Sequence, residues 1–274
     1  MQHRKIAFIG AGNMSRSIIS GLIETGYPAS HILACNPTDG KLQDLKRTFG
    51  VNTSQSNAEA LSFAQVVILA VKPQLMAGML ETLQQQSQFG EEQLVISIAA
   101  GIRLERLQEM LRGHQRVIRT MPNTPSQLGM GVTGLYAAPE VAGSDRAFCQ
   151  ALLNCVGETL WTQDEEQLNG VIAAAGSAPA YFFLMMEAMI DHARSLGFNE
   201  QEARMMVQQT ALGAAEMARQ NPEVSLAELR AQVTSRGGAT ACAIDSFEQH
   251  NFRQGVANAM NAAIARASEM EQQF

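Results

Sequence analysis

The stretch Lys5-Ile6-Ala7-Phe8-Ile9-Gly10-Ala11-Gly12-Asn13-Met14-Ser15 narrows what this chain can fold into more than any other. It reads as a short apolar strand, a glycine turn and the start of a helix. Gly10 lets the chain leave the strand sharply. Gly12, having no Cβ, lets an anion approach the backbone. The helix beginning near Asn13 would aim its free N–H groups and positive dipole end at that anion. This is the fingerprint of a dinucleotide-binding unit, with the small residue Ser15 in place of a third glycine. Taken alone the pattern also fits an ordinary turn. Its position between a strand and a helical pattern favours the cofactor reading.

The rest of the first half repeats the alternation. Helical spacing over 14–25 stops at Gly26, and 31–35 forms a second strand ending in the loop Asn36-Pro37-Thr38-Asp39-Gly40. A helix over 41–49, a brief strand at 51–53 and a helical turn over 57–63 follow. Within 64–71 the run Val66–Val71 is continuously apolar, as a strand buried on both faces of a parallel sheet must be, and 94–98 reads as another buried strand. Helices are expected over 74–86, 104–111 and 139–155, and strands over 116–119, 131–136 and 158–162. Strands alternating with helices at this spacing imply an α/β, doubly wound sheet of the Rossmann type.

The character changes near Asp164, and we place a domain boundary between 163 and 164. From there to Phe274 every segment reads as helix: 165–175, 179–196, 200–219, 226–232, 239–250 and 252–272. Residues 171–190 are apolar enough to raise the question of a membrane span. Pro179 near the middle and Glu187 argue instead for two helices in a protein core, with 178–190 buried nearly all round. So apolar an all-α block, rich in alanine and methionine, is expected to pack against another subunit.

Composition removes several classes. The net charge is −6 and no basic run occurs, which argues against a nucleic-acid partner. Cys35, Cys149, Cys155 and Cys242 show no paired spacing, so neither a disulfide framework nor a metal site is expected, and buried thiols in a reducing compartment are. The opening apolar stretch is too short for a signal peptide, and a cytoplasmic location is expected. His3, His31, His114, His192 and His250 lack ligand spacing and read as surface or packing residues.

Several further motifs carry chemistry. Asn36 stands where an acid would bind the adenosine ribose 2′-hydroxyl of NAD. A neutral residue there, with Thr38 and Lys41 able to donate, favours NADPH over NADH. Asp39 counts the other way. Ala70-Val71-Lys72-Pro73 and Ala99-Ala100-Gly101 end two buried strands, where open α/β sheets bind ligands. Ala175-Gly176-Ser177-Ala178-Pro179-Ala180-Tyr181 opens one helix. Ser235-Arg236-Gly237-Gly238-Ala239-Thr240 is a second glycine turn feeding a helix, a geometry suited to a carboxylate. Either motif also fits a plain helix start. The lysines are Lys5, Lys41, Lys46 and Lys72, with none in the helical half.

Six motifs in chain order, Phe8–Met14, Ala70–Pro73, Ser97–Gly101, Arg119–Pro125, Gly176–Tyr181 and Gly237–Thr240, make the whole chain resemble the pyrroline-5-carboxylate reductase family. The resemblance implies an N-terminal Rossmann domain, 1–163, and an all-α C-terminal substrate and dimerisation domain, 164–274. It implies NAD(P)H-dependent reduction of 1-pyrroline-5-carboxylate to L-proline, by a homodimer that in the family often assembles into a decamer of five dimers.

Carried over by position, Ile9, Gly10, Ala11, Gly12, Asn13 and Met14 would hold the pyrophosphate. Asn36 and Thr38 would face the adenosine 2′ region, and Asn57 the adenosine side. Ala70, Val71, Lys72 and Pro73, with Ile98, Ala99 and Ala100, would line the nicotinamide side. Ser235, Gly237, Gly238 and Ala239 would shape the substrate site, Thr240 would bond the ring nitrogen, and Glu165 matches a substrate-side acid. Arg236 stands where relatives have proline, Ala175 where they have serine and Gln232 where they often have asparagine. The alternatives are another NADP-dependent oxidoreductase of the 6-phosphogluconate or hydroxyacid dehydrogenase type, and a non-catalytic NADP-binding regulator. The absent helical-domain lysine counts against the hydroxyacid reading.

Overall fold

The computed structural model describes residues 3–274. Eight strands form one sheet: β1 (Ile6–Ile9), β2 (Ile32–Cys35), β3 (Asn52–Ser54), β4 (Val66–Leu69), β5 (Leu94–Ser97), β6 (Val117–Met121), β7 (Gly131–Ala137) and β8 (Gly157–Trp161). Their spatial order is β3-β2-β1-β4-β5-β6-β7-β8. The first six run parallel; β7 is antiparallel to β6, and β8 runs with β7. All four residues of β1, β2, β4 and β5 are buried, which is why those segments are apolar throughout but for Ser97 at the end of β5. Fully burying each Ile, Leu or Val of this kind contributes roughly 1.5–3 kcal/mol.

The helices between strands are α1 (Asn13–Glu24), α2 (Asp39–Phe49), α3 (Asn57–Phe63), α4 (Pro73–Gln86), α5 (Leu104–Met110) and α6 (Gly143–Leu153). α1 buries Ile18, Ile19 and Leu22, and α2 buries Leu42 and Leu45, each an i, i+3 or i+4 set against the sheet. Two segments differ from expectation. α2 starts at Asp39, inside the segment read as a loop, because only Asn36, Pro37 and Thr38 are needed to leave β2. α6 is confined to Gly143–Leu153, with a tight 3₁₀ turn at Asn154–Val156, so the stretch from Pro139 to Ala142 is not helical.

Beyond β8 come α7 (Gln167–Val171), a π-helical turn at Ile172–Gly176, and α8 (Ala178–Ser195). The break expected between two helices is not present: Gln167–Ser195 is one helical run, and the π turn lies within it, where the Ser177 N–H donates to the carbonyl of Ile172, five residues back, at 2.7 Å. Then follow α9 (Glu200–Gln220), α10 (Leu226–Gln232), α11 (Ala239–Gln249) and α12 (Phe252–Gln273). α9 and α10 each open with a reciprocal capping box, Asn199 with Glu202 and Ser225 with Glu228.

Contacts divide the chain into two compact units. One runs up to Ser177 and includes Ala263–Phe274; the other is Ala178–Ala262. In the first, the last turns of α12 lie on the sheet side: Met270 and Phe274 pack against Gly101, and Glu271 reaches Arg119. The second holds few buried side chains. Among its described residues only Ala178, Ala203 and Val207 are buried. The expectation that 178–190 is buried nearly all round is therefore not met within one chain. Phe182, Phe183 and Leu184 are each about two-thirds exposed. By length and composition, Gln167–Ser195 is the one helical run among the described residues long and apolar enough to cross a membrane. The cysteines also differ from expectation: Cys35 and Cys149 are buried and Cys155 half-buried, but Cys242 is exposed.

Candidate functional site

The strand order reverses direction at β1. β2 lies on one side of it and β4 on the other, each reached by a separate crossover. Open α/β sheets bind ligands in the crevice such a reversal leaves at the carboxyl ends of the strands. Those ends are level here: Ile9 pairs with both Cys35 and Leu69, and Cys35 with Ser54. A cleft of about 780 Å³ opens above them.

Its floor is the glycine turn. Gly10 has φ +108°, a conformation side chains rarely adopt, and its N–H donates to the Cys35 carbonyl at 2.8 Å. Ser15, the departure from the third glycine, donates its hydroxyl to the Gly10 carbonyl at 2.6 Å and locks the turn to α1. A Cβ built on Gly12 would meet nothing within 4 Å, so the approach to the backbone there is open. No side chain caps α1, and its first turn carries no acid, so its leading N–H groups remain available.

Beside the floor, Asn36 is fixed by its neighbours. Its Oδ1 accepts from the Ala11 N–H at 3.4 Å, and its Nδ2 donates to the carbonyl and hydroxyl of Thr38 at 3.0 and 2.9 Å. Asn36 lines the cleft, whereas Thr38, its hydrogen-bond partner, is exposed and not part of the lining. Asn57 lines the cleft from the first turn of α3, and Ala70, Val71 and Lys72 from the end of β4. Pro73 occupies the first turn of α4, where its missing N–H costs no hydrogen bond. Ile98 follows β5, its N–H donating to the Leu69 carbonyl at 3.1 Å, and the Ala99 N–H donates to Ser97 Oγ at 3.3 Å. Burial pushes the thiol of Cys35, under this floor, up to about 12, with Glu59 adding to the effect, so it stays protonated and unreactive.

Two parts of the cleft were not anticipated. Gln55 and Ser56 line it from the end of β3, and Leu75, Met79 and Thr82 from one face of α4. The α4 face was legible as an i, i+4, i+7 set, although Leu75 and Thr82 would have read as surface.

Glu165 is engaged inside the first unit. Its carboxylate pairs with the buried guanidinium of Arg119 and accepts from the Leu104 N–H, capping α5. Arg119 also reaches Glu271 Oε1 at 3.3 Å. Arg103 adds Glu166 at 2.6 Å and holds its carboxyl below the usual range. Asn123, in the loop after β6, donates to the Ala175 carbonyl of the π turn at 3.0 Å and accepts from the Val132 N–H at 2.8 Å.

The second glycine turn lies in the other unit. Gly237 has φ +72°, and the Gly238 N–H donates to the Ser235 carbonyl at 3.0 Å. No side chain caps α11, so the N–H groups of Ala239 and Thr240 are unclaimed by the helix, and Thr240 is exposed. Among the described residues no cluster of His, Cys, Asp and Glu could hold a metal ion.

The chain is similar to known proteins along its whole length. A family model for pyrroline-5-carboxylate reductase dimerisation matches residues 165–270, and one for NADP oxidoreductase, coenzyme F420-dependent, matches residues 5–101. The pyrroline-5-carboxylate reductase of Vibrio alginolyticus is 51% identical over 274 residues, all of both chains. That of Haemophilus influenzae is 44% identical, again over all of both. Among solved structures, a pyrroline-5-carboxylate reductase from Coxiella burnetii superposes with a TM-score of 0.92 at 39% identity, covering 98% of this chain and 99% of that one. The Plasmodium falciparum pyrroline carboxylate reductase with NADP bound gives a TM-score of 0.85 at 26% identity, covering 99% of each.

Proposed function

The chain belongs to the pyrroline-5-carboxylate reductase family, and from that premise we propose how its own residues carry out the reaction. The enzyme is an oxidoreductase that reduces 1-pyrroline-5-carboxylate to L-proline with NAD(P)H, the proline-forming step of biosynthesis. The observation that carries the residue assignment is the cleft over β1, β2 and β4, floored by a turn that only glycine can make at position 10.

The residues present suit a dinucleotide. The open backbone at Gly12, the uncapped start of α1 and the turn Ile9 to Met14 would hold its pyrophosphate. Asn36, with its hydrogen-bond partner Thr38, and Asn57 would hold the adenosine side. Ala70 to Pro73 and Ile98 to Ala100 would line the nicotinamide side. NADPH is the proposed physiological form, with NADH as the alternative. When bound, the reduced nicotinamide supplies a hydride to the electrophilic imine carbon.

The remaining work is alignment, and it falls to the helical residues. The turn Ser235, Gly237, Gly238 and the free N–H groups at Ala239 and Thr240 would grip the substrate carboxylate, and the Thr240 hydroxyl would hold the ring nitrogen. Glu165, already tied to Arg119 and Leu104, is proposed to shape the substrate side through those contacts. We place the functional division at 163/164, with 1–163 binding NADP and 164–274 serving substrate and dimerisation. The family match over 165–270 supports that division.

The dimerisation match and the exposed apolar side chains support a homo-oligomer, which we propose to be a dimer assembling into a decamer. A net charge of −6 supports the proposal that the enzyme has no nucleic-acid partner, and a cytoplasmic location is proposed with it. The apolar α8 is proposed to pack on a partner subunit, not a membrane. Purified protein supplied with 1-pyrroline-5-carboxylate and NADPH should oxidise the cofactor and form proline stoichiometrically. Cofactor binding with no turnover would favour the regulator reading.

A further inference from the structure

Pro179 has no N–H, so the carbonyl of Ala175, four residues earlier in the same helical run, cannot receive its α-helical hydrogen bond. A donor comes from elsewhere in the fold: Asn123 Nδ2 donates to that carbonyl at 3.0 Å. We infer that Asn123 is a positioning residue for the reductase reaction. It acts by holding the π turn at Ile172–Gly176 to the carboxyl edge of the sheet, not by touching substrate or cofactor. The inference rests on the chain being a reductase whose nicotinamide side is lined by Ile98–Ala100.

Both ends of the Asn123 amide are committed. Its Oδ1 accepts from the Val132 N–H at 2.8 Å, and since an N–H can face only the oxygen, the nitrogen is the end turned to Ala175. Asn123 is buried, so neither bond is exchanged for water. It follows β6, whose Thr120 hydroxyl donates to the Ser97 carbonyl at 3.0 Å, at the end of β5. Ile98–Ala100 leave β5 directly after Ser97. The clamp thus ties the π turn, through β6, to the residues proposed to line the nicotinamide side. A Cβ on Gly176 would stand 3.2 Å from Met121 Cε, so the turn also sits closely against the last residue of β6.

The segment is pinned at its other end as well. Glu165 pairs with Arg119 of β6 and accepts from the Leu104 N–H. Residues 165–177 are therefore held at both ends by β6 and the loop after it. The π turn widens the helix where the proline ring would otherwise meet the Ala175 carbonyl. The chain enters the second compact unit directly after Ser177, and the turn proposed to hold the substrate lies further along it. An error of about 1 Å in where reacting atoms meet can cost about a hundredfold in rate. Slackening this anchor is therefore felt in turnover before it is felt in cofactor binding.

The test uses the full chain at about pH 8, where an introduced carboxylate only accepts hydrogen bonds. Asn123→Asp keeps the acceptor for Val132 and removes the donor to Ala175. It is expected to lower kcat about tenfold or more and the melting temperature by a few degrees, with NADP⁺ affinity by calorimetry within about twofold of wild type. Adding Pro179→Ala gives the Ala175 carbonyl a helical N–H of its own. The double variant should recover most of the melting temperature and keep the low kcat, because the tie to the sheet is still missing. It also carries the test if Asn123→Asp alone folds poorly. Wild-type kcat in Asn123→Asp, or a kcat that returns together with the melting temperature in the double variant, would overturn the positioning role. A loss of NADP⁺ affinity as large as the loss of kcat would overturn it too, by placing Asn123 in the cofactor seat. Wild-type protein that does not turn over 1-pyrroline-5-carboxylate would overturn the reductase reading, and this inference with it.

Discussion

A Cβ placed on Gly10 would stand 2.6 Å from the carbonyl oxygen of Ala70, inside the distance any real Cβ keeps from backbone. The two residues end neighbouring strands, and the Ala70 N–H donates to Ile9 at 2.9 Å, so neither chain can retreat without breaking the sheet. Gly10→Ala must therefore shift the turn that floors the cleft, and it must do so at a φ of +108°. Overpacking of this kind costs about 1–3 kcal/mol. The variant should melt several degrees lower and bind NADP⁺ at least about tenfold more weakly. Wild-type affinity by calorimetry would remove Gly10 from the site.

Arg119 is buried between Glu165 and Glu271, joining β6, the turn before α7 and the end of α12. Removing one partner of a buried pair leaves the other desolvated and uncompensated, at about 3–5 kcal/mol. Here two carboxylates would be stranded, with the half-exposed Arg103 the nearest remaining cation, at 3.5 and 3.6 Å. Arg119→Met should lose about 3 kcal/mol in urea unfolding. Exchanging Arg103 for Met should cost about 1 kcal/mol or less, because that guanidinium is about 41% exposed. Equal losses in the two variants would contradict this ordering.

How much of this was legible beforehand depended on how local the cause was. The strands of the sheet could be read because burial on both faces leaves runs such as Val66-Val67-Ile68-Leu69, and the glycine turn because one φ value excludes other residues. The start of α2 at Asp39 was missed because Asp and Gly favour loops, yet both fit a helix's first turn. The π turn was missed because Ile172–Gly176 has helical composition, and only the Ser177 bond and the Asn123 anchor distinguish it. Gln55 and Ser56 were missed because cleft lining at β3 follows from strand order, which no local pattern encodes. The role of Glu165 shows the same limit: its grip on Arg119 spans 46 positions of sequence.

His114 supplies a pH dependence with a defined sign. Burial holds its imidazole below the ordinary 6.5, Arg116 adds to that, and the bond to the Gln93 carbonyl, 2.8 Å from Nε2, partly opposes it. A depressed folded-state value means the unfolded chain binds the extra proton first. The contribution is therefore present above 6.5 and is lost as pH falls through that value toward the folded one. His114→Gln should be less stable than wild type at neutral pH, by about 1 kcal/mol for the bond. The gap should narrow on acidification below 6.5, measured as the difference between urea curves. A gap that widens would show the ring charged in the fold.

Thr240 offers a hydroxyl on an exposed helix start with no structural bond to lose. Thr240→Ala should leave melting temperature and NADP⁺ affinity near wild type and lower kcat about tenfold or more, the loss expected for the hydrogen bond proposed to the ring nitrogen. Thr240→Ser should recover most of it. Steady-state rates unchanged in the alanine variant would rule this role out.

The strongest expectation for assembly comes from α8. Phe182, Phe183 and Leu184 are consecutive, so at about 100° per residue they face three directions around the helix. A helix apolar on so much of its circumference, with only Ala178 buried, is stable in water only when something surrounds it. In a two-fold interface each residue is buried twice, and each Phe or Leu contributes roughly 1.5–3 kcal/mol. Phe183→Glu would place two carboxylates in that interface. Wild-type protein should sediment as a dimer or larger at micromolar concentration, and the variant should shift to the mass of one chain or precipitate. If the variant sedimented as the wild type does, this face of α8 would lie outside the interface.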